Sequence, residues 1–132
     1  MSQIAKAINK VVLNYENMDG YIEPFCGMCE VYRNFIKLQP NYEQYIANDN
    51  DVMIPKHIRD VFEYMDVVFY DKYYVHFSKL DNFIIYCDPH HCDKKFWTWC
   101  QEMSKNNLVF VKSQQCPIKH HVLIKQKLFI IG

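Results

Sequence analysis

Two short apolar runs, FIIYC (83–87) and LVFVK (108–112), stand on either side of a longer segment with helical spacing. A continuous apolar run of this length is typical of a strand that is covered on both faces of its sheet. The segment between them, KKFWTWCQEMSK (94–105), is long enough for a helix and is ended by Asn106 and Asn107. A strand, a helix and a second strand in this order predict a parallel sheet with helices packed against it.

The same alternation extends along the rest of the chain. Helices are predicted at 2–14, 27–38, 55–65 and 94–105, strands at 21–25, 44–49, 66–71, 83–87 and 108–112, a turn at 17–20, and a closing strand or hairpin at 120–131. A chain of 132 residues is long enough for one domain, 1–132, but not for two. We therefore expect an α/β fold, a three-layer sandwich whose mostly parallel sheet has helices on both faces.

Composition and charge limit the function classes. Half of the residues are apolar and 16% are aromatic, so the chain should fold rather than stay disordered. The formal net charge is zero, so no global positive field draws the protein to nucleic acid, and any DNA contact depends on a local patch. Abundant Tyr, Asn, Lys and Ile with little Gly suggest an AT-rich coding genome, such as that of a phage or a large virus.

The N-terminal sequence MSQIAKAINK lacks the apolar core of a signal peptide, and no segment approaches the length of a membrane span. The expected location is therefore intracellular and cytoplasmic, with no membrane partner. In a reducing compartment the six cysteines are expected to be free thiols.

Cys26 and Cys29 follow a predicted strand and precede a predicted helix, which leaves three interpretations open. A helix N-terminus stabilises a thiolate, as in thioredoxin-like redox pairs. However, the sequence has no clear candidate for the distant cis-proline that such proteins carry. A zinc site would join this pair to two of four later residues, His90, His91, Cys92 and Cys100. The simplest interpretation is two small thiols buried under a turn, and no metal ligand is assigned.

Four segments taken in order, YIEPFCGMCEV, YIANDND, VVFYDKYY and FIIYCDPHHCDKKFWTWC, resemble the Dam-like DNA adenine-N6 methyltransferases. That family has a Glu/Asp-Pro-Phe-x-Gly-x-Gly turn after its first strand. After its fourth strand it has Asp-Pro-Pro-Tyr, commonly preceded by Tyr-Cys and followed by a helix rich in Trp and Phe. The resemblance covers most of the chain and implies a Rossmann-like methyltransferase domain that uses S-adenosylmethionine.

The resemblance assigns Glu23, Phe25 and Gly27 to the turn that binds the methionine end of the cofactor. Asp49 then contacts the ribose hydroxyls, as an acidic residue after the second strand does in dinucleotide folds. A glycine-rich turn between a strand and a helix lets backbone N–H groups come close to the ligand.

The catalytic residues implied by the resemblance are Asp88, Pro89, His90 and His91. The target adenine is flipped out of the duplex and stacked on an aromatic ring. The Asp88 carboxylate and the Pro89 carbonyl then accept hydrogen bonds from N6–H, which concentrates electron density on a weakly nucleophilic nitrogen. Attack on the sulfonium methyl group follows.

Departures from the family pattern predict reduced or absent methyl transfer. His90 replaces the second proline, His91 replaces the stacking tyrosine and Cys29 replaces a glycine of the first turn. The interval between Asp49 and Val67 lacks most of the DNA target-recognition region that the family places there. The alternative is a non-catalytic structural or partner-binding module, whose uncovered surface would favour a homo-oligomer or a protein partner.

Overall fold

A computed structural model of the chain describes residues 2–50, 54–61 and 67–132. The described helices are α1 (Gln3–Val12), α2 (Glu30–Leu38), α3 (Lys56–Val61) and α4 (Lys94–Met103), with a 3-10 helix at Tyr74–Phe77. The described strands are β1 (Gly20–Glu23), β2 (Gln44–Asn48), β3 (Val67–Tyr70), β4 (Phe83–Cys87), β5 (Leu108–Lys112), β6 (His120–Ile124) and β7 (Leu128–Ile131).

These strands form one mostly parallel sheet in the order β3-β2-β1-β4-β5-β7-β6. The first five strands pair in parallel, and β7 runs antiparallel between β5 and β6. The carboxyl ends of β1 to β5 therefore share one edge of the sheet. The predicted three-layer α/β fold with a mostly parallel sheet is confirmed.

Alternating side chains of the strands divide the core into two layers. On β4, Ile84 and Tyr86 pack with α1 and α2, whereas Phe83, Ile85 and Cys87 pack with α4 and the 3-10 helix. All five residues of β4 are buried, as expected for a central strand covered on both faces. The two layers cover opposite faces of the sheet.

The predicted helix at 27–38 starts three residues later than its sequence pattern suggests. Gly27 and Cys29 have φ values of +52° and +59°, in the left-handed region that a right-handed helix cannot include. The helix α2 consequently begins at Glu30, and residues 27–29 form a loop. This correction puts the CxxC sequence in a tight turn rather than in the first turn of a helix.

Other boundaries shift for identifiable reasons. The first strand ends at Glu23, because Pro24 has no N–H to donate. Gly20, predicted within a turn, lies in β1, where an added Cβ would stand 2.6 Å from the Gln44 carbonyl oxygen. The tail forms a hairpin of β6 and β7. Residues 62–65 of the predicted third helix, and residue 66 of the third strand, lie outside the described residues.

The N-terminal helix is shorter than predicted because Ser2 caps it. The Ser2 Oγ accepts a hydrogen bond from the Ala5 N–H at 3.2 Å, which fixes the start of α1 at Gln3. Within the described ranges, no helix has the length and apolar character needed to span a membrane.

Candidate functional site

A cavity of about 540 Å³ opens at the carboxyl edge of the parallel strands. Six of the eight residues that the sequence assigns to the site line it: Glu23, Phe25, Gly27, Asp49, Asp88 and His90. Pro89 and His91 are not among its lining residues, and His91 is exposed. Gly27 and Asp88 thus face the same space from the loops after β1 and β4, because these two strands pair in parallel.

The loop after β1 is held by backbone and carboxylate hydrogen bonds. The Gly27 N–H donates to Asp49 Oδ2 at 2.8 Å, and the Cys26 N–H donates to the Asn48 carbonyl oxygen at 2.9 Å. No atom lies within 4 Å of the position that a Cβ on Gly27 would occupy, so the positive φ is what favours glycine there. The Asp49 carboxylate therefore fixes the loop in addition to lining the cavity.

Asn48 holds three strand ends together beneath the cavity and was not singled out by sequence. Its side chain is fully buried, and Nδ2 donates to the carbonyl oxygens of Pro24 at 2.9 Å and Lys72 at 2.7 Å. Its Oδ1 accepts from the Lys72 N–H at 2.8 Å. Every polar atom of this amide has a partner, so the loops after β1 and β3 are fixed relative to β2.

Glu23 is a carboxyl group with only 2% of its surface exposed. The Tyr21 hydroxyl donates to Glu23 Oε2 at 2.5 Å. Burial raises the pKa of Glu23 well above its usual range; the hydrogen bond from Tyr21 opposes this shift, and Cys29 and Asp88 add to it. The Glu23 carboxyl group, which lines the cavity, therefore holds its proton more tightly than an ordinary glutamate does.

Tyr86 contributes a buried hydroxyl beside this carboxyl group. The residue lines the cavity and is 2% exposed, and its hydroxyl oxygen has no hydrogen-bond partner among the described residues. Burial, with smaller contributions from Asp88 and Glu23, raises the pKa of Tyr86. The sequence pointed to the Tyr-Cys pair but not to an unpaired hydroxyl at the cavity. Whether the Tyr86 hydroxyl has a hydrogen-bond partner depends on the tertiary packing around it.

Asp88 has an ion-pair partner that the sequence did not reveal. Lys112 Nζ, at the end of β5, lies 3.7 Å from Asp88 Oδ2, and the two side chains are 42% and 46% exposed. An exposed pair of this kind contributes about 0–1 kcal/mol, so it can be displaced by a ligand. The register of β4 against β5 creates the contact, since Cys87 pairs with Val111 and the next residues lie side by side.

The loop after Asp88 leads into α4 through a side-chain cap. The Asp93 Oδ1 accepts from the Phe96 N–H at 2.8 Å, which sets the helix start. Phe96 in turn packs edge-on against Phe25, with ring centroids 5.8 Å apart. The loops after β1 and β4 are thereby joined by an aromatic contact next to the cavity.

The thiols of Cys26 and Cys29 are in contact but form neither a disulfide nor a metal site in this structure. Their Sγ atoms lie 3.0 Å apart, and both residues are buried. The contact with Cys29, followed by burial, raises the pKa of Cys26, which disfavours the thiolate that redox chemistry needs. In the described ranges, no group of three or more His, Cys, Asp or Glu side chains is placed to hold a metal ion.

A second cavity of about 450 Å³ adjoins the first at Asp49. It lies at the carboxyl ends of β2 and β3, and its lining residues include Ile54, Phe69 and Asp71. The lining combines apolar and aromatic side chains with acidic groups and the Arg59 side chain, and aromatic walls of this kind suit a flat heterocycle. Asp49 stands between this space and the space beside Gly27.

No family model matches the sequence, and no curated protein sequence matches it. The fold is nevertheless similar to solved methyltransferase structures. "Putative methyltransferase yhhF" from Escherichia coli aligns with a TM-score of 0.69 and 9% identity, over 98% of this chain and 85% of that chain. "Putative methylase HI0767" from Haemophilus influenzae aligns with a TM-score of 0.66 and 10% identity, over 97% and 94% of the two chains.

A third structure, the 23S rRNA methyltransferase ErmE, aligns with a TM-score of 0.52 and 12% identity, over 85% of this chain and 47% of that chain. Identities this low show the fold alone. The chain therefore has the Rossmann-like methyltransferase fold.

Proposed function

We propose that the chain binds S-adenosylmethionine and is a nucleic-acid adenine-N6 methyltransferase whose methyl transfer is strongly reduced. One observation carries the proposal. Glu23, Gly27, Asp49 and Asp88 come from the ends of three different strands, yet all four line one cavity at the carboxyl edge of a methyltransferase fold. Ligands of open α/β sheets bind at this edge.

The cavity has the chemical groups that the cofactor needs. The buried Tyr86 hydroxyl lacks a partner among the described residues, and leaving such a group unpaired costs about 1–3 kcal/mol, which a polar ligand would offset. The open space beside Gly27 leaves room for close approach to the loop backbone. A zwitterionic methionine end matches this combination of a hydroxyl, a carboxyl group and a glycine loop.

Each residue has a separate task in the proposed complex. Glu23 and Tyr86 hold the methionine end, Asp49 accepts hydrogen bonds from the ribose hydroxyls, and the cavity beside Phe69 receives the adenine ring. When bound, the cofactor supplies an electrophilic methyl group. The protein's contribution is to orient that group toward the loop after β4.

Asp88 is the residue proposed to act on the target base. Its carboxylate accepts a hydrogen bond from the exocyclic amine of adenine, the Pro89 carbonyl accepts a second, and the amine lone pair becomes more available for attack. The ion pair with Lys112 competes for the same carboxylate. His91, in the position of the stacking tyrosine, is exposed and does not line the cavity, and its imidazole offers less stacking area than a phenol ring.

The second candidate is a cofactor-binding module without catalysis, and the Asp88–Lys112 ion pair favours it. A carboxylate already neutralised by an ammonium group is a weaker acceptor for an amine. The homo-oligomer or protein partner expected of such a module stays a prediction. Light scattering tests it, since a dimer would have twice the chain mass of 16.0 kDa.

Isothermal titration with S-adenosylmethionine tests cofactor binding. We expect a submillimolar Kd for the wild type and at least tenfold weaker binding by Asp49→Ala, which loses both the ribose acceptor and the Gly27 contact. Asp81→Ala removes an exposed carboxylate just before β4, at the sheet edge opposite the cavity, and as the matched control it should bind as the wild type does. No heat of binding at millimolar cofactor would refute the proposal.

Tritiated methyl incorporation into unmethylated oligonucleotides separates the two candidates. A slow rate that Asp88→Ala abolishes supports the methyltransferase. Cofactor binding with no incorporation above background supports the non-catalytic module.

A further inference from the structure

We propose that a nucleic acid docks through its phosphates along the β6–β7 hairpin and enters the cavity from that side. This inference rests on the proposed function, because it names the partner that the cavity would act on. The net charge is zero, but the acidic residues are unevenly distributed along the chain. All fifteen Asp and Glu residues lie within the first 102 positions, and the remaining thirty residues contain five lysines and no acid.

The hairpin lies within this acid-free segment, and its turn reaches the cavity. Lys112 pairs with Leu128 in the β5–β7 ladder, so the turn between β6 and β7 lies at the cavity edge of the sheet. Lys127 and Lys112 line the cavity, and Lys125 is exposed in the same turn. The Ser113 N–H donates to the Lys127 carbonyl oxygen at 3.0 Å, which fixes the turn against the end of β5.

A further lysine marks the other end of the hairpin. Lys119 is exposed, and its carbonyl oxygen accepts from the Gly132 N–H at 2.9 Å, at the edge opposite the cavity. The five residues of β6 span about 16 Å at roughly 3.3 Å per residue. That distance corresponds to about five phosphates of one B-form strand at about 3.4 Å each.

The lysines of the hairpin have few carboxylates to compete with a phosphate. Across the described residues, Lys119, Lys125 and Lys127 form no salt bridge, whereas Lys112 is 3.7 Å from Asp88. The strand β6 is also the outer strand of the sheet, with His121 and Val122 exposed along it. Lysines at both ends of this open edge strand, with no salt bridge among the described residues, are complementary to a linear polyanion.

The position of Lys112 links docking to the site. A phosphate held by Lys112 would withdraw this cation from Asp88, whose carboxylate would then be available to an adenine amine. Binding at the hairpin would thus both orient the nucleic acid and release Asp88.

Fluorescence anisotropy with a fluorescein-labelled 20-nucleotide single strand, as DNA and as RNA, tests the docking surface. We expect Lys119→Gln/Lys125→Gln to weaken binding about tenfold in 50 mM salt. The slope of log K against log salt should fall by about 1.4, since each phosphate contact on a single strand contributes about 0.7. The matched control, Lys56→Gln/Lys79→Gln, removes two exposed lysines elsewhere and should change affinity less than twofold.

Equal losses in the two double variants, or no loss in the hairpin variant, would overturn the docking proposal. So would polyglutamate of the same length competing as well as an unlabelled strand. Calorimetry keeps this result separate from the cofactor proposal, because neither Lys119 nor Lys125 lines the cavity. Normal cofactor binding with unchanged oligonucleotide binding in the hairpin variant refutes docking alone, and the reverse refutes only the cofactor site.

Discussion

Glu23 shows how one buried side chain makes stability depend on pH. Its folded-state pKa is raised, so between the ordinary value of 4.5 and that raised value the folded protein holds a proton that the unfolded chain has released. Unfolding then loses a proton, and stability falls as pH rises through this window. Below pH 4.5 both states are protonated and the effect vanishes.

We predict that Glu23→Gln removes this loss. The variant should gain stability relative to the wild type as pH rises above about 4.5, by at most about 1.4 kcal/mol per pH unit for one proton. Urea denaturation between pH 4 and pH 8 measures the difference. Glu16→Gln, which removes a carboxylate at an exposed position, is the control. A Glu23→Gln difference that is flat across the range would contradict the assigned burial effect.

The paired histidines offer a test of lost activity. We predict that His90→Pro/His91→Tyr, which restores the family sequence after Asp88, raises methyl incorporation at least tenfold. A tyrosine ring has more area for stacking on a flipped base, and proline restricts the loop that carries it. Tritium incorporation is the measurement, and His57→Tyr at an exposed position of α3 is the control. Incorporation that survives Asp88→Ala in the restored background would show a different catalytic group.

At the scale of elements, Asn48 is the link between β1, β2 and β3. We predict that Asn48→Ala destabilises the fold by about 2–3 kcal/mol, because it leaves the buried carbonyl group of Pro24 and the part-buried backbone groups of Lys72 without partners. Asn34→Ala removes an exposed hydrogen bond to the Glu30 carbonyl oxygen and should cost under about 0.5 kcal/mol. Chemical denaturation measures the free energy of unfolding of both variants. Similar decreases would show that the Asn48 hydrogen bonds do not stabilise the strand ends.

The elements were predictable where local pattern and tertiary environment agree. The strands β4 and β5 have the predicted bounds, since an uninterrupted apolar run fits only a strand covered on both faces. The start of α2 was wrong because left-handed φ values at Gly27 and Cys29 leave no trace in apolar spacing. The 3-10 helix at Tyr74–Phe77 was missed, since four residues give too short a period to recognise.

The sequence predicted those site residues that directly follow the parallel strands. The fold brings Glu23, Asp49 and Asp88 to one edge because parallel strands align their carboxyl ends. Lys112 and Lys127 also line this cavity, through strand pairings between residues far apart in sequence. Such cavity-lining residues can be identified only when the pairing register of the strands is known, and a sequence motif does not specify that register.

For the whole molecule, ligand binding and folding are coupled. A ligand that binds only the folded state stabilises it by RT ln(1 + [L]/Kd), about 1.4 kcal/mol at ten times the Kd. For a chain of this length the corresponding rise in Tm is about 5 °C. The cavity is lined by residues at the ends of β1, β2, β4 and β5 and by residues of α1. Because these elements belong to one fold, ligand binding should stabilise the whole domain.

We therefore predict that S-adenosylmethionine at ten times its Kd raises the Tm by about 5 °C. Each further doubling of the cofactor should add about 0.4 kcal/mol. Differential scanning fluorimetry over a cofactor series measures this dependence. Asp49→Ala binds at least tenfold more weakly and should shift by no more than about 1.5 °C at the same concentrations, since it lacks the carboxylate that positions the loop. A shift of equal size in Asp49→Ala would place the ligand elsewhere on the molecule, because that variant cannot hold Gly27 as the wild type does.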